Sequence, residues 1–128
     1  MVRIVKTLLP LAWMGFIFIL SGIPADSFPA DTTSAQQSTA HVFLYSVLAY
    51  LIMGAVLSRQ TDKKRNSVYK WKLSFFAVIF CVLYGITDEY HQGYIPGRFV
   101  SFIDLGLDTA GAVLGVLFYR FLNLNCKS

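Results

Sequence analysis

Four apolar stretches separated by polar segments dominate the pattern of hydrophobic and polar positions along this chain. They cover residues 5–22, 42–57, 71–87 and 104–122. A helix that crosses a bilayer needs about 20 mainly apolar residues, with a range of about 17–25. The stretches lie at the short end of that range, and the second needs its flanks to reach across. We therefore predict one all-α domain over residues 1–128: a four-helix transmembrane bundle with helices at about 5–22, 40–58, 71–88 and 103–122.

Composition supports a membrane protein over a water-soluble one. The chain is 55% hydrophobic and 14% charged, whereas about 25% of the residues of a soluble domain are charged. A buried, globin-like core of four helices is the alternative. Such helices carry a charged outer face at helical spacing, and the second and third stretches have none. The first stretch could instead be a cleaved signal peptide, since Arg3 and Lys6 precede its apolar part, although no clean cleavage site follows closely.

Basic residues predict the orientation of the bundle. Of the 11 Lys and Arg residues, all except Arg98 fall at the two chain ends or around the connection between the second and third helices. Because basic residues concentrate on the cytoplasmic side, we expect both termini in the cytoplasm and two external segments, about 23–40 and 88–102. The net charge of +4 is then a topology signal, and nucleic acid is not an expected partner. The ten Lys and Arg residues expected on the cytoplasmic side are Arg3, Lys6, Arg59, Lys63, Lys64, Arg65, Lys70, Lys72, Arg120 and Lys127.

Polar side chains cluster where the external ends of three helices should meet. His41 begins the second helix, and Asp88, His91 and Gln92 continue the third. Asp104 and Asp108 lie in the first turns of the fourth. Short loops make these ends neighbours in a bundle, so we expect one outward-opening cleft. Helical spacing places Asp88, and then His91 or Gln92, on one face.

Asp108 is the member that is hardest to explain as a surface residue. It lies about a turn below the membrane interface, and a carboxylate costs roughly 2.5–3.5 kcal/mol at the centre of a spanning helix. We expect it to face the bundle interior and to pair with Arg98 or His41. Gly111 and Gly115 follow on the same stripe and allow close approach of another helix, either within the chain or in a homo-oligomer.

The segment "YIPGR" predicts a reversal between the third and fourth helices. Pro96 and Gly97 suit the central positions of a type II turn, which would direct Arg98 back over the helix ends. There Arg98 could hold a phosphate or carboxylate through two hydrogen bonds.

Several polar residues also have simpler interpretations. Asp104 and Ser101 have the spacing of a capping box, Ser38 or Thr39 could cap the second helix, and Glu89 could be a solvated surface residue.

The candidate chemistry stays open at this level. A histidine oriented by a carboxylate can act as a general base or proton carrier. Two histidines and several carboxylates could bind a divalent metal, but "DEYHQ" matches no tight metal-site spacing, so the cofactor is unknown. Cys81 and Cys126 lie at different depths and are not expected to pair.

The chain resembles the VanZ-like membrane proteins, a family named for an accessory teicoplanin-resistance protein of Gram-positive bacteria. The resemblance rests on "PLAWMGFIFILSG", "HVFLYSVLAYL" and "YGITDEYHQGYIPGRFVSFIDLGLDTAGAVLG". It implies a four-helix membrane fold and a role at the cell surface that is linked to glycopeptide action. Two positions depart from the family pattern. Ser38 stands where a lysine is frequent and Asp108 where an asparagine is frequent, which favours a cationic or metal-bridged ligand over a bare anion.

Three functional hypotheses follow. In the first, an outward-facing polar site in the cell membrane acts on or binds a lipid-linked or phosphate-bearing envelope molecule. Its roles are His91 as acid/base group, Asp88 as its orienting partner, and Arg98, Gln92 and Asp104 as ligand-binding residues, with His41 and Asp108 completing the site. In the second, the polar cluster only locks the helix ends together in a structural or binding module. The third is a small transporter subunit.

Overall fold

The computed structural model describes residues 1–30, 34–60 and 66–124, without the side chains of residues 34 and 124. A short 3-10 helix, Ala25–Ser27, and four long helices make up this part of the chain. The long helices are α1 (Val2–Ser21), α2 (Ser34–Leu57), α3 (Ser67–Gln92) and α4 (Phe102–Leu124). No strand occurs in the described ranges, so the predicted all-α fold is confirmed. Some residues on which the predicted orientation and the cysteine prediction rest lie outside the described residues: Lys63, Lys64, Arg65, Cys126 and Lys127.

All four long helices are sufficiently long and apolar to cross a membrane. Each exposes large apolar side chains, such as Ile19, Phe76 and Phe118, which are half or more exposed. Water-soluble monomers rarely expose continuous apolar surface of this kind. The four helices that a multi-pass membrane bundle requires are therefore present, while the direction of insertion stays a prediction.

The two ends of the bundle differ in character. We call the end at which α1 and α3 finish and α2 and α4 begin the polar end. Basic residues gather at the opposite end, where the Arg59 Nε–H donates to the Thr7 hydroxyl over 3.1 Å. There the Arg120 guanidinium also stacks 3.8 Å from the ring centroid of Trp71. The charge separation behind the orientation argument is thus present in the folded chain.

Two helix ends at the polar end extend beyond the predicted limits. Because α2 begins at Ser34, Ser38 and Thr39 lie inside the helix, and the prediction that either caps it is wrong. The Thr39 hydroxyl donates to the Ala35 carbonyl oxygen over 2.7 Å instead. α3 continues to Gln92, four residues past its predicted end. Hydropathy marks the lipid-embedded part of a helix, whereas a helix itself continues wherever its backbone stays hydrogen-bonded.

The contact between α2 and α4 is the most extensive in the bundle. A Cβ atom built on Gly111 would overlap the backbone carbonyl of Val42, and one on Gly115 would overlap that of Ser46. The Ser46 hydroxyl also donates to the Gly111 carbonyl oxygen over 2.8 Å. The two glycines thus serve close helix packing inside the chain, while self-association through them stays a prediction.

α1 is attached to this pair and to α3 by side-chain hydrogen bonds to backbone oxygens. The Trp13 indole N–H donates to Leu44 over 2.9 Å, and the Tyr84 hydroxyl donates to Met14 over 2.7 Å. Buried Tyr45, Leu48 and Cys81 fill the space between the helices. The polar end therefore rests on a packed core.

Substitution of Gly115 by Ala should destabilise the bundle. The added methyl group meets the backbone of α2, which cannot rotate away, and overpacking of this kind costs about 1–3 kcal/mol. We expect a lower melting temperature for the detergent-solubilised protein. The matched control is Gly106→Ala in the same helix, where a Cβ meets nothing within 4 Å and alanine adds about 0.5–1 kcal/mol of helix stability. Equal melting temperatures for the two variants would contradict the packing described.

Candidate functional site

A cavity of about 380 Å³ opens at the polar end, between the end of α1, the start of α2, the end of α3 and the 93–101 connection. The polar side chains in its lining include Gln37, His41, Asp88, Gln92, Arg98 and Asp104. The apolar side chains in its lining include Ile17, Leu20, Phe28, Leu44 and Phe99. The structure thus brings five of the predicted site residues to one cavity: His41, Asp88, Gln92, Arg98 and Asp104.

Asp108 lies behind the cavity wall and pairs with His41. Its side chain is 1% exposed, and its Oδ1 lies 2.9 Å from the His41 Nδ1. Glycine makes room for this carboxylate, because a Cβ on Gly85 of α3 would come within 3.1 Å of the Asp108 Oδ2. Of the two partners considered from the sequence, the structure selects His41 over Arg98.

A chain of hydrogen bonds connects three residues of the cavity lining, from Asp88 through Gln92 to Arg98. The Gln92 amide N–H donates to the Asp88 Oδ2 over 3.1 Å. The Gln92 Oε1 in turn accepts from the Arg98 Nη1 over 3.3 Å. Asp88 is only 3% exposed, so its carboxyl group is held inside the protein at the end of α3. The amide of Gln92 therefore connects a buried carboxylate to a guanidinium.

Arg98 also holds the end of α1. Its Nε–H donates to the Ile23 carbonyl oxygen over 2.8 Å, and its Nη2 donates to that of Leu20 over 3.4 Å. Carbonyl groups at the end of a helix lack their regular partner four residues further on. The Leu20 oxygen also accepts from the Ile23 N–H over 3.2 Å. Burial lowers the pKa of Arg98 and the carboxylates of Asp88, Glu89 and Asp104 oppose that shift, so the side chain keeps its charge.

The predicted turn positions Arg98. Gly97 has a φ of 76°, and the Arg98 N–H donates to the Ile95 carbonyl oxygen over 3.1 Å, which confirms a turn with Pro96 and Gly97 at its centre. The Pro96 carbonyl oxygen accepts from the Ala25 N–H over 3.2 Å. This contact fixes the turn against the segment that follows α1.

Glu89 is buried, and its interpretation as a solvated residue is wrong. It is 3% exposed, and its Oε2 accepts from the Ser101 N–H over 2.8 Å. The Ser101 hydroxyl accepts from the Asp104 N–H over 3.2 Å. Only half of the predicted capping box therefore forms between Ser101 and Asp104, and α3 supplies the other acceptor. The signal in the sequence was the four-residue spacing from Gly85 to Glu89, which places both on the buried face of α3.

His91 lies apart from the cavity wall. Its ring stacks on Phe18 with centroids 4.1 Å apart, and its Nδ1 lies 3.4 Å from the Ser21 hydroxyl oxygen. At 100° per residue, Gln92 falls about 40° from Asp88 around the helix axis, and His91 falls about 60° away on the other side. Gln92 therefore faces the cavity and His91 packs on α1. The predicted role of His91 as an acid/base group oriented by Asp88 stays a prediction, although Asp88 bonds to Gln92 instead.

Three helices bring potential metal ligands together behind the cavity. One ligand atom each from His41, Glu89 and Asp108 can be chosen so that all three lie within 4.8 Å of one another. Only Glu89 comes from the "DEYHQ" segment, which explains why the spacing within that segment showed no metal signature. The same His41–Asp108 pair, without a metal, is an imidazole oriented by a carboxylate and can carry a proton.

Comparison with known proteins identifies the family. The model of the VanZ/LLP1 family matches residues 7–123. The chain therefore belongs to this family, and the resemblance noted in its motifs is confirmed. No curated protein and no solved structure matches the chain.

Gly97→Ala should weaken the polar end. Alanine costs roughly 1–2 kcal/mol in the left-handed conformation, and its Cβ would meet the Cβ of Ala25 at 3.0 Å. We expect a lower melting temperature in detergent than for Gly15→Ala, where a Cβ meets nothing within 4 Å. A Gly97→Ala protein as stable as the Gly15→Ala protein would show that the turn is not held as described.

Proposed function

We propose that this VanZ/LLP1-family chain is a multi-pass protein of the bacterial cell membrane that binds the head group of an envelope molecule at its polar end, which faces outward. The observation that carries the proposal is the cavity of about 380 Å³ with both polar and apolar side chains in its lining. Its volume falls within the roughly 300–1,000 Å³ of typical ligand pockets. A lining with both kinds of side chain suits a molecule with a polar head and a lipid tail.

In the cavity lining, the Arg98 guanidinium retains N–H groups that can bind a phosphate or carboxylate. A guanidinium has five N–H donors, and three nitrogens of Arg98 each make one bond to Ile23, Gln92 or Leu20. Two N–H groups therefore remain for an anionic oxygen. The ring of Phe28, with its centroid 5.2 Å from the Arg98 Cζ, holds the guanidinium in place.

The charge of the polar end limits the ligand. Asp88, Glu89 and Asp108 are buried there, and Arg98 is the only Lys or Arg in either connection at this end. A bare anion would lie close to three buried acidic side chains with one guanidinium beside it. We infer that the ligand carries a positive group of its own or binds its phosphate together with a cation. The link to glycopeptide susceptibility that the family resemblance implies stays a prediction.

A structural role for the polar residues is the second candidate. Glu89 completes the cap of α4 by accepting from Ser101, and Arg98 joins the end of α1 to α3. Both contacts would stabilise the helix ends without a ligand. The transporter hypothesis has less support, because each described span is one continuous helix and transporters commonly place broken helices at their sites.

The outward orientation can be tested by cysteine labelling on intact cells. Ser27 and Ser67 are both exposed and lie at the polar and the opposite end. In a chain whose Cys81 and Cys126 are replaced by alanine, a membrane-impermeant maleimide should label Ser27→Cys. It should label Ser67→Cys only after the membrane is permeabilised. Labelling of Ser67→Cys alone on intact cells would reverse the proposed orientation.

Ligand binding can be tested by filling the cavity. Ala40 lies on its wall, so Ala40→Trp should exclude the head group. We expect phosphate-bearing lipids to co-purify with the wild-type chain in mild detergent. Mass spectrometry should show their amount reduced at least about tenfold by Ala40→Trp, which corresponds to about 1.4 kcal/mol.

Ala110→Trp is the control for added bulk, since Ala110 is exposed on α4 and does not line this cavity. Asp88→Asn then separates the two candidate functions, because asparagine keeps an acceptor for Gln92 while losing the charge. Reduced lipid retention at an unchanged melting temperature supports binding. A reduced melting temperature with undiminished lipid retention supports the structural role and contradicts our proposal.

A further inference from the structure

Four acidic side chains, Asp88, Glu89, Asp104 and Asp108, lie near His41 and Arg98 at the polar end. Asp108 interacts electrostatically with His41, Asp88 and Asp104, and Glu89 interacts with the same histidine and with Asp104 and Asp108. Arg98 is the only guanidinium that faces them in the described part of the chain. The acidic side chains at this place therefore outnumber the basic ones, Arg98 and His41, by four to two.

Three of these side chains converge in the manner of metal ligands. His41, Glu89 and Asp108 come from α2, α3 and α4, and their ligand atoms lie within 4.8 Å of one another. The His41 Nδ1 and the Asp108 Oδ1 are 2.9 Å apart. Two ligands at about 2.1 Å and a right angle on one ion lie about 3.0 Å apart. This pair therefore already has the spacing of neighbouring ligands, and Glu89 offers a carboxylate oxygen within 4.8 Å of a ligand atom on each of the other two residues.

Polar atoms around the cluster lack partners among the described residues. They are the Glu89 Oε1, the Asp108 Oδ2, the Asp88 Oδ1 and the Tyr45 hydroxyl. Buried polar atoms are nearly always hydrogen-bonded, and an exception points to an ion or a water.

The Tyr45 hydroxyl is an observation independent of the acidic cluster. Tyr45 is 1% exposed, follows His41 by one helical turn on the same face, and lines the same cavity. It interacts electrostatically with both Asp108 and Asp88. An unpartnered hydroxyl at this place is suited to contact a water bound to an ion.

We propose that His41, Glu89 and Asp108 bind one divalent cation between α2, α3 and α4. One imidazole nitrogen with two carboxylates favours Mn²⁺ or Zn²⁺, which accept both donor types, over Mg²⁺ and Ca²⁺, which prefer oxygen ligands alone. Three protein ligands leave coordination positions for water or for an oxygen of a bound molecule. In a step that rests on the proposed function, a phosphate oxygen in the cavity would take such a position, and the cation would supply the charge that a phosphate requires.

The site can be tested with Mn²⁺ alone on the purified chain in detergent after removal of metals by a chelator. Loss of the electron paramagnetic resonance signal of free Mn²⁺ reports binding. We expect one ion per chain, displaced by Zn²⁺ more effectively than by Mg²⁺, and a rise in melting temperature on binding. The rise in melting temperature is measured on the wild-type chain with and without Mn²⁺. It therefore tests binding even if a substituted chain fails to fold.

Two substitutions that keep hydrogen-bond acceptors test the ligands. Glu89→Gln can still accept from Ser101, and Asp108→Asn can still accept from His41. Each should weaken Mn²⁺ binding at least about tenfold. Asp26→Asn is the control, because Asp26 is an exposed carboxylate in the segment after α1, and it should leave the affinity unchanged.

Two outcomes would overturn the inference. One is a wild-type chain that binds no Mn²⁺ at a ratio of one per chain, as expected if protonation neutralises the carboxylates. The other is binding that both ligand substitutions leave intact. Neither outcome depends on the envelope molecule. Cation binding without lipid retention would contradict the proposed function alone, and lipid retention without cation binding would contradict only the metal site.

Discussion

The close approach of α2 and α4 is the contact on which the polar end depends. Gly111 and Gly115 let the two backbones meet, and the Ser46 hydroxyl bonds across the contact. One helical turn nearer the polar end, the same geometry places His41 at 2.9 Å from the buried Asp108. A larger residue at either glycine would separate the helices and leave a carboxylate facing lipid or an empty space. The glycines of α4 therefore allow Asp108 to be buried, because they bring its partner His41 within hydrogen-bonding distance.

The remaining helix ends are joined by groups that satisfy backbone atoms. Glu89 of α3 accepts a hydrogen bond from the Ser101 N–H and so caps the first turn of α4. Arg98 caps the C-terminal end of α1 by donating to the carbonyl oxygens of Ile23 and Leu20. These contacts lie around the cavity, which residues of all four long helices line. They also use charged side chains for structure, and the structural and the ligand-binding roles therefore share residues. That overlap is why stability and binding must be measured on the same variants.

Much of this arrangement could be predicted from the sequence, for identifiable reasons. Four apolar stretches determine the number of helices, the Pro96–Gly97 pair determines the turn, and the cost of a carboxylate in lipid requires a partner for Asp108. Glu89 was missed because a glutamate beside an aspartate at a helix end is usually solvated, and its burial depends on how α4 packs against α3. The sequence does not show whether His91 or Gln92 shares the face of Asp88, since both fit the helical spacing from it. The early start of α2 lies in polar residues that hydropathy does not register.

We propose that one site at the polar end joins a cavity to a ligand cluster from three helices. An experimental structure of the chain in nanodiscs with native lipids retained tests this most directly. We expect head-group density in the cavity next to Arg98 and Asp104, and a single compact peak between His41, Glu89 and Asp108. A cavity closed by Phe99 and Phe28, with Glu89 turned away from His41 and Asp108, would contradict it.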